Sequence, residues 1–169
     1  MKIKKIATGG VLLALGLVLP QIFHIFGPQS GQILLPMHIP VLLAGLLLGQ
    51  FYGASIGILT PLLSFIITGM PPMPILIFMI FELAAYGLVA GLLSKKLNVY
   101  LSLIIAMVSG RVVYALVLIV AGNIFGLDVP KVASVLTSLV TALPGIAVQL
   151  IFIPVIVLAL RRVKLDSFN

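Results

Sequence analysis

Residues 37–94 read MHIPVLLAGLLLGQFYGASIGILTPLLSFIITGMPPMPILIFMIFELAAYGLVAGLLS, and Glu82 is the only Asp, Glu, Lys or Arg among them. A surface helix in water needs a polar face, and this run offers none. Its length suits several membrane-crossing helices of about 20 residues each. Glycine and proline punctuate it at Gly49–Gly53 and at Gly69–Pro74 (GMPPMP), and such clusters break helices. The stretch therefore divides into spans over 37–50, 52–69 and 75–94. The first is short for a crossing if it begins at Met37. It either starts near Ile33 with a kink at Pro36 or Pro40, or is a partial helix packed against its neighbours.

Eight of the ten basic residues lie in three clusters: Lys2/Lys4/Lys5, Lys95/Lys96 and Arg161/Arg162/Lys164. Cytoplasmic flanks of membrane helices collect Lys and Arg, so all three clusters are expected on one side. The chain between Lys5 and Lys95 then crosses an even number of times, which adds a span over 6–26 to the three above. Lys2–Lys5 followed by Ile6–Pro20 resembles a signal peptide, but no small-residue cleavage site follows it, and it reads as a retained first span. Beyond Lys96 come spans over 98–121 and 131–162, joined by an outer turn at Asn123–Pro130 that carries Asp128, with Lys131 beside it. Pro144-Gly145 predicts a kink inside the last span. The expected fold is an all-α membrane protein of six transmembrane helices with both termini cytoplasmic, forming one integral membrane domain over 1–169.

Composition narrows the function. Hydrophobic residues make up 62% of the 169 residues and charged ones 8%, against roughly 45–50% and 25% in soluble domains. No room is left for a soluble domain. The net charge of +7 sits beside apolar spans, so it suits anionic lipid and membrane orientation rather than nucleic acid. Cysteine is absent, which excludes disulfides, thiol nucleophiles and Cys-based metal sites. No phosphate-binding GxxxxGK[ST], zinc HExxH or GxSxG nucleophile elbow occurs, and three acidic residues with two histidines make a poor acid–base set. A transport or binding role is expected, not an enzyme. Uphill transport would need another subunit or an ion gradient.

Two full charges remain inside spans, Glu82 and Arg111. Placing such a residue at a helix centre costs about 2.5–3.5 kcal/mol on insertion scales, so both are expected to face the protein interior or a wet cavity. A structural ion pair, a ligand pocket and a proton relay are all open readings. Tyr86 follows Glu82 by four residues and Tyr114 follows Arg111 by three, so each pair shares a helix face. Mostly apolar walls with a few placed polar groups are how small-molecule pockets are built. His24 and His38 flank the outer loop Gly27–Pro36, a connector or a gate, and the stiff Met70–Pro74 turn is placed to roof a pocket. Neither histidine has a carboxylate or cysteine at metal-ligand spacing, so no metal is expected. Asn123 and Gln149 are further polar candidates. Gly10-x-x-x-Ala14 in the first span is a small-xxx-small pattern that lets another helix approach closely.

With these residues in place, the chain resembles the substrate-binding S components of energy-coupling factor (ECF) vitamin transporters. The resemblance rests on size, six spans and the small-residue first span. It also rests on LPMHIPVLLAGLLLGQFYGASIGILTPLLSFIITGMPP at Leu35–Pro72, FELAAYGLVAGLL at Phe81–Leu93 and SGRVVYAL at Ser109–Leu116. It implies a multi-pass protein of the bacterial cell membrane that captures a vitamin near the outer face. It implies docking through the first helix onto a transmembrane coupling subunit driven by two cytoplasmic ATPases, with ATP and Mg held by those partners and no cofactor in this chain. It also implies toppling of the loaded subunit to release its ligand inside. Gly10 and Ala14 match the docking pattern, with Gly10 departing from the family's usual Ala. Within that frame Arg111 would complement a carboxylate or a phosphate, and among vitamins pantothenate fits this. If Glu82 and Arg111 neutralise each other, cobalamin, riboflavin or another vitamin fits equally. The reading from another class is a stand-alone secondary transporter or channel for a small solute, and a structural membrane-assembly role is the third.

Overall fold

A computed structural model of the chain describes residues 2–25, 27, 29–123, 126 and 133–166. The described residues form α-helices joined by turns: α1 (Lys2–His24), α2 (Ser30–Leu34), α3 (His38–Leu48), α4 (Gln50–Thr68), α5 (Ile75–Leu93), α6 (Val99–Asn123), α7 (Ala133–Thr141) and α8 (Leu143–Asp166). Six segments are long and apolar enough to cross a membrane, with α2 and α3 together making one of them over Ser30–Leu48. A 19-residue helix such as α5 is about 28 Å long, close to the roughly 30 Å hydrocarbon core. Inside that core only helices or closed barrels satisfy every backbone group. The protein is an all-α, multi-pass membrane protein.

The helix breaks depart from the sequence reading in two places and decide between its alternatives in a third. The second span begins at Ser30, not Met37, and turns at Leu35–Met37 before continuing as α3, close to the start near Ile33 with a kink at Pro36. Leu35 carries this turn in a left-handed conformation (φ 49°), which costs a non-glycine residue of order 1–3 kcal/mol and persists where surrounding contacts hold it. The expected breaker zone at 49–53 shrinks to Gly49 alone (φ +103°), and Gly53 lies within α4. The last span, expected as one helix over 131–162, is two: α7 ends at Thr141 and α8 starts at Leu143. Pro144 therefore stands in the first turn of a new helix, where proline is tolerated because no intrahelical N–H is lost, and it does not kink a continuous one. The turn expected at Asn123–Pro130, with Asp128 and Lys131, lies outside the described residues apart from Asn123 and Gly126.

Helix α3 is the centre of the bundle, with His38, Pro40 and the whole of Val41–Leu46 buried. It packs on α1, α4, α5 and α8, and α4 makes its largest contact with α5. That contact is backbone on backbone. A Cβ added at Gly53 would lie 2.3 Å from the Gly87 carbonyl oxygen, one at Gly57 2.4 Å from that of Leu83, and one at Gly91 2.3 Å from the Gln50 nitrogen. Gly53-x-x-x-Gly57 and Gly87-x-x-x-Gly91 thus let two helices meet closely where lipid gives no hydrophobic drive to associate. Gly45 of α3 joins them, its Cβ position 2.5 Å from the Gly87 oxygen. The outward faces carry apolar residues such as Phe51, Ile66, Val108 and Phe152, as a lipid-facing surface requires.

Candidate functional site

The helix directions place a cavity at one end of the bundle. The ends of α1 and α4, the start of α5, α2 and α7 all contribute to it. Lys4, Lys5, Lys95, Lys96 and Arg162 belong to the opposite ends of α1, α5 and α8. By the positive-inside bias the cavity therefore opens on the outer side. Its volume is about 460 Å³, within the range of roughly 300–1,000 Å³ typical of small-molecule sites.

Glu82 and Arg111 meet in its wall. Arg111 Nη1 lies 3.0 Å from Glu82 Oε1, and the two side chains are 15% and 3% exposed. The Tyr86 hydroxyl donates to the same carboxylate oxygen at 3.0 Å. The i to i+4 spacing on α5 makes this second bond possible. Glu82 thus holds two donors from two helices, and the pair joins α5 to α6. Removing one partner of a buried pair strands a charge at a cost of about 3–5 kcal/mol. Arg111 Nε is buried without a hydrogen-bond partner among the described residues, so the guanidinium is only partly committed to Glu82.

His38 is the second feature. It is 3% exposed, it lines the cavity, and neither ring nitrogen has a hydrogen-bond partner among the described residues. Each such group costs about 1–3 kcal/mol unless something meets it. Its ring stands 5.2 Å from that of Tyr86, centroid to centroid, and the Tyr86 ring fits because residue 110 is glycine. A Cβ there would lie 2.1 Å from Tyr86 Cε1.

The structure brings Glu82, Arg111, Tyr114 and His38 together around one cavity. Tyr114 also packs edge-on to Phe78 at 5.8 Å. Tyr86 stands behind the lining and holds Glu82. Gln149 is likewise buried behind it, where its Nε2 donates to the Leu35 carbonyl at 3.4 Å and ties α8 to the α2–α3 turn. Gly145 reinforces that tie, its Cβ position 2.5 Å from the Ile33 oxygen. Asn123 is exposed at the end of α6 and does not line the cavity. Gly31 and Gln32 of α2 line it, as do Met70, Pro71 and Pro72 of the stiff turn, so both segments marked as gate or roof stand at its mouth. Gly10 and Ala14 do not line it and are exposed on α1; Ala14 lines an adjoining apolar groove that shares Gln21 and Ser64 with the cavity, and a Cβ at Gly10 would meet nothing within 4 Å. No three His, Cys, Asp or Glu side chains cluster among the described residues.

One group of lining residues escaped the sequence reading. Ser134, Thr137, Ser138 and Thr141 of α7 all line the cavity. They fall at i, i+3, i+4 and i+7, one face of a helix, while Leu136, Leu139 and Val140 are exposed. The signal was present in SVLTSLVT at 134–141, but it vanishes when 131–162 is averaged as one long apolar span.

A family model described as "ECF transporter, substrate-specific component" matches residues 4–157. No curated protein and no solved structure gives a significant match.

Proposed function

The chain belongs to the substrate-specific components of ECF transporters, and from that premise we propose that it captures a small vitamin, pantothenate, in the outer cavity and passes it across the membrane with its partners. Members of this family are integral membrane transport subunits, not enzymes, and they work with an ECF module and a small-molecule substrate. The observation that carries the pantothenate reading is the Arg111 guanidinium at the cavity wall, bonded to Glu82 through Nη1 and bare at Nε. A ligand carboxylate meets the uncommitted part of its planar fork. Pantothenate adds hydroxyl and amide groups for His38, Gln32 and Tyr114. The volume of about 460 Å³ supports a ligand of that size over cobalamin, whose corrin ring and nucleotide loop exceed such a space.

Docking onto the coupling subunit uses the exposed face of α1 at Gly10 and Ala14, where small residues let a partner helix approach. ATP and Mg are bound by the partner ATPases, and this chain supplies no cofactor. The direct test is mass spectrometry of what co-purifies with the protein, joined to equilibrium dialysis with radiolabelled pantothenate. Saturable binding near one ligand per chain is expected. A different vitamin co-purifying, with no pantothenate binding, would replace the ligand and leave the transport role standing.

A further inference from the structure

Glu82 and Arg111 are the only Asp, Glu, Lys or Arg residues among the described residues lining the cavity, and they are paired at 3.0 Å. Their charges cancel. A ligand bringing two negative charges, or one positive, finds no free counter-ion there, and an uncompensated charge in a low-dielectric site is costly. One carboxylate is tolerated because Arg111 retains donors that Glu82 does not use.

The remaining polar lining carries no Asp, Glu, Lys or Arg and is spread over six helices, with His24 of α1, Gln32 of α2, Ser64 of α4 and Tyr114 of α6 beside His38 of α3 and the hydroxyls of α7. His38 is buried with both ring nitrogens bare. A neutral imidazole offers one donor and one acceptor, so an occupant that both donates and accepts satisfies it, as a hydroxyl or amide does. The α7 ladder of Ser134, Thr137, Ser138 and Thr141 faces the same space. Ser138 and Thr141 donate their hydroxyl protons to backbone carbonyls of their own helix, at 2.8 and 3.0 Å. Their oxygens therefore keep acceptor capacity for a ligand hydroxyl or N–H.

We propose that His38 is the specificity-determining residue of this cavity, acting with the α7 hydroxyl ladder. Together they select a hydroxyl- or amide-rich ligand of net charge zero or minus one and refuse phosphorylated and cationic forms. This rests on the transport reading above and narrows its substrate class. Glu82–Arg111 then serves as a neutral wall with one spare donor edge, and the discrimination falls to His38.

The test is a binding panel on the purified full chain: pantothenate, riboflavin, biotin, 4′-phosphopantothenate, pyridoxal 5′-phosphate and thiamine. The tightest ligand is expected among the first three, with the phosphate-bearing and cationic compounds at least a hundredfold weaker. His38→Phe keeps the ring packed on Tyr86 but removes both nitrogens, and it should weaken the best ligand at least tenfold, with His38→Gln recovering part of the loss. Thr137→Val keeps its shape on a solvent-accessible face. It should cost about threefold in affinity without changing the ligand-free melting temperature, so the proposal stays testable if His38→Phe fails to fold. A phosphate-bearing or cationic best ligand overturns the proposal but not the transport role, as does full affinity in Thr137→Val together with His38→Phe or His38→Gln. Failure of the wild type to bind any vitamin in the panel, with no other vitamin co-purifying, overturns the vitamin-capture reading and this proposal with it.

Discussion

Helices α3, α4 and α5 are locked together, backbone against backbone, through Gly45, Gly53, Gly57, Gly87 and Gly91. Across the cavity, α2 and α7 are short and pack on few neighbours, and α2 is tied to α8 by such contacts as Gln149 to Leu35 and Gly145 to Ile33. The first region leaves no freedom, and it carries Glu82, the buried end of the ion pair. The second supplies uncharged hydroxyl and amide groups and lines the mouth. A membrane protein that must admit a ligand and then close on it can place its expensive buried charge on the rigid side. Its adaptable hydrogen bonds belong on the lightly packed side, because low-stability elements are the ones that open.

The contrast is broken most severely by Gly87→Val. Its Cβ would fall 2.1 Å from the Gly53 carbonyl oxygen, and backbone cannot yield as a flexible side chain does. Overpacking that neighbouring side chains can relieve costs about 1–3 kcal/mol and occasionally more; here two helix backbones must separate, so the largest loss of the series is expected, read as loss of monodisperse protein in size-exclusion chromatography. Arg111→Ala comes next, destabilising by about 3–5 kcal/mol because Glu82 is left buried and unpaired, and weakening ligand binding at least tenfold, about 1.4 kcal/mol. The double variant Glu82→Leu/Arg111→Met should recover most of the thermal stability and none of the binding. Recovery of both would make the pair purely structural.

On the lightly packed side the expected effects shrink. Gln149→Leu removes a long hydrogen bond to Leu35 and should cost about 1 kcal/mol in a thermal melt, with faster ligand release as the α2–α3 turn loosens. Gly10→Leu should change neither melting temperature nor ligand affinity, since the new side chain meets open space. Transport assayed with the partner subunits should nonetheless fall sharply. Loss of ligand affinity in Gly10→Leu would place Gly10 in the packing of the site instead of in docking.

The helix count was legible because charge is so sparse: with Lys5 and Lys95 on one side of the membrane, the number of crossings between them is even. The Glu82/Tyr86 and Arg111/Tyr114 faces followed from helical spacing, and the structure adds that the two charges meet. What stayed hidden has local causes. Gly53 resembled a helix breaker because a glycine used for close packing and one used for a turn look alike until the partner helix is known. The α7 ladder was masked by the assumption of one continuous helix through Ala142. Gln149 stood out as a polar residue in an apolar span, but its partner is a carbonyl more than a hundred residues away in sequence, beyond any local pattern.

The proposed role requires that this chain capture its ligand without driving transport by itself. The most direct measurement is reconstitution of the purified chain into liposomes, with and without an ECF coupling subunit and its ATPases, following radiolabelled pantothenate or whichever vitamin co-purifies. The prediction is ligand binding in both preparations and accumulation only with the partners and ATP. Accumulation by the chain alone under an ion gradient would contradict it.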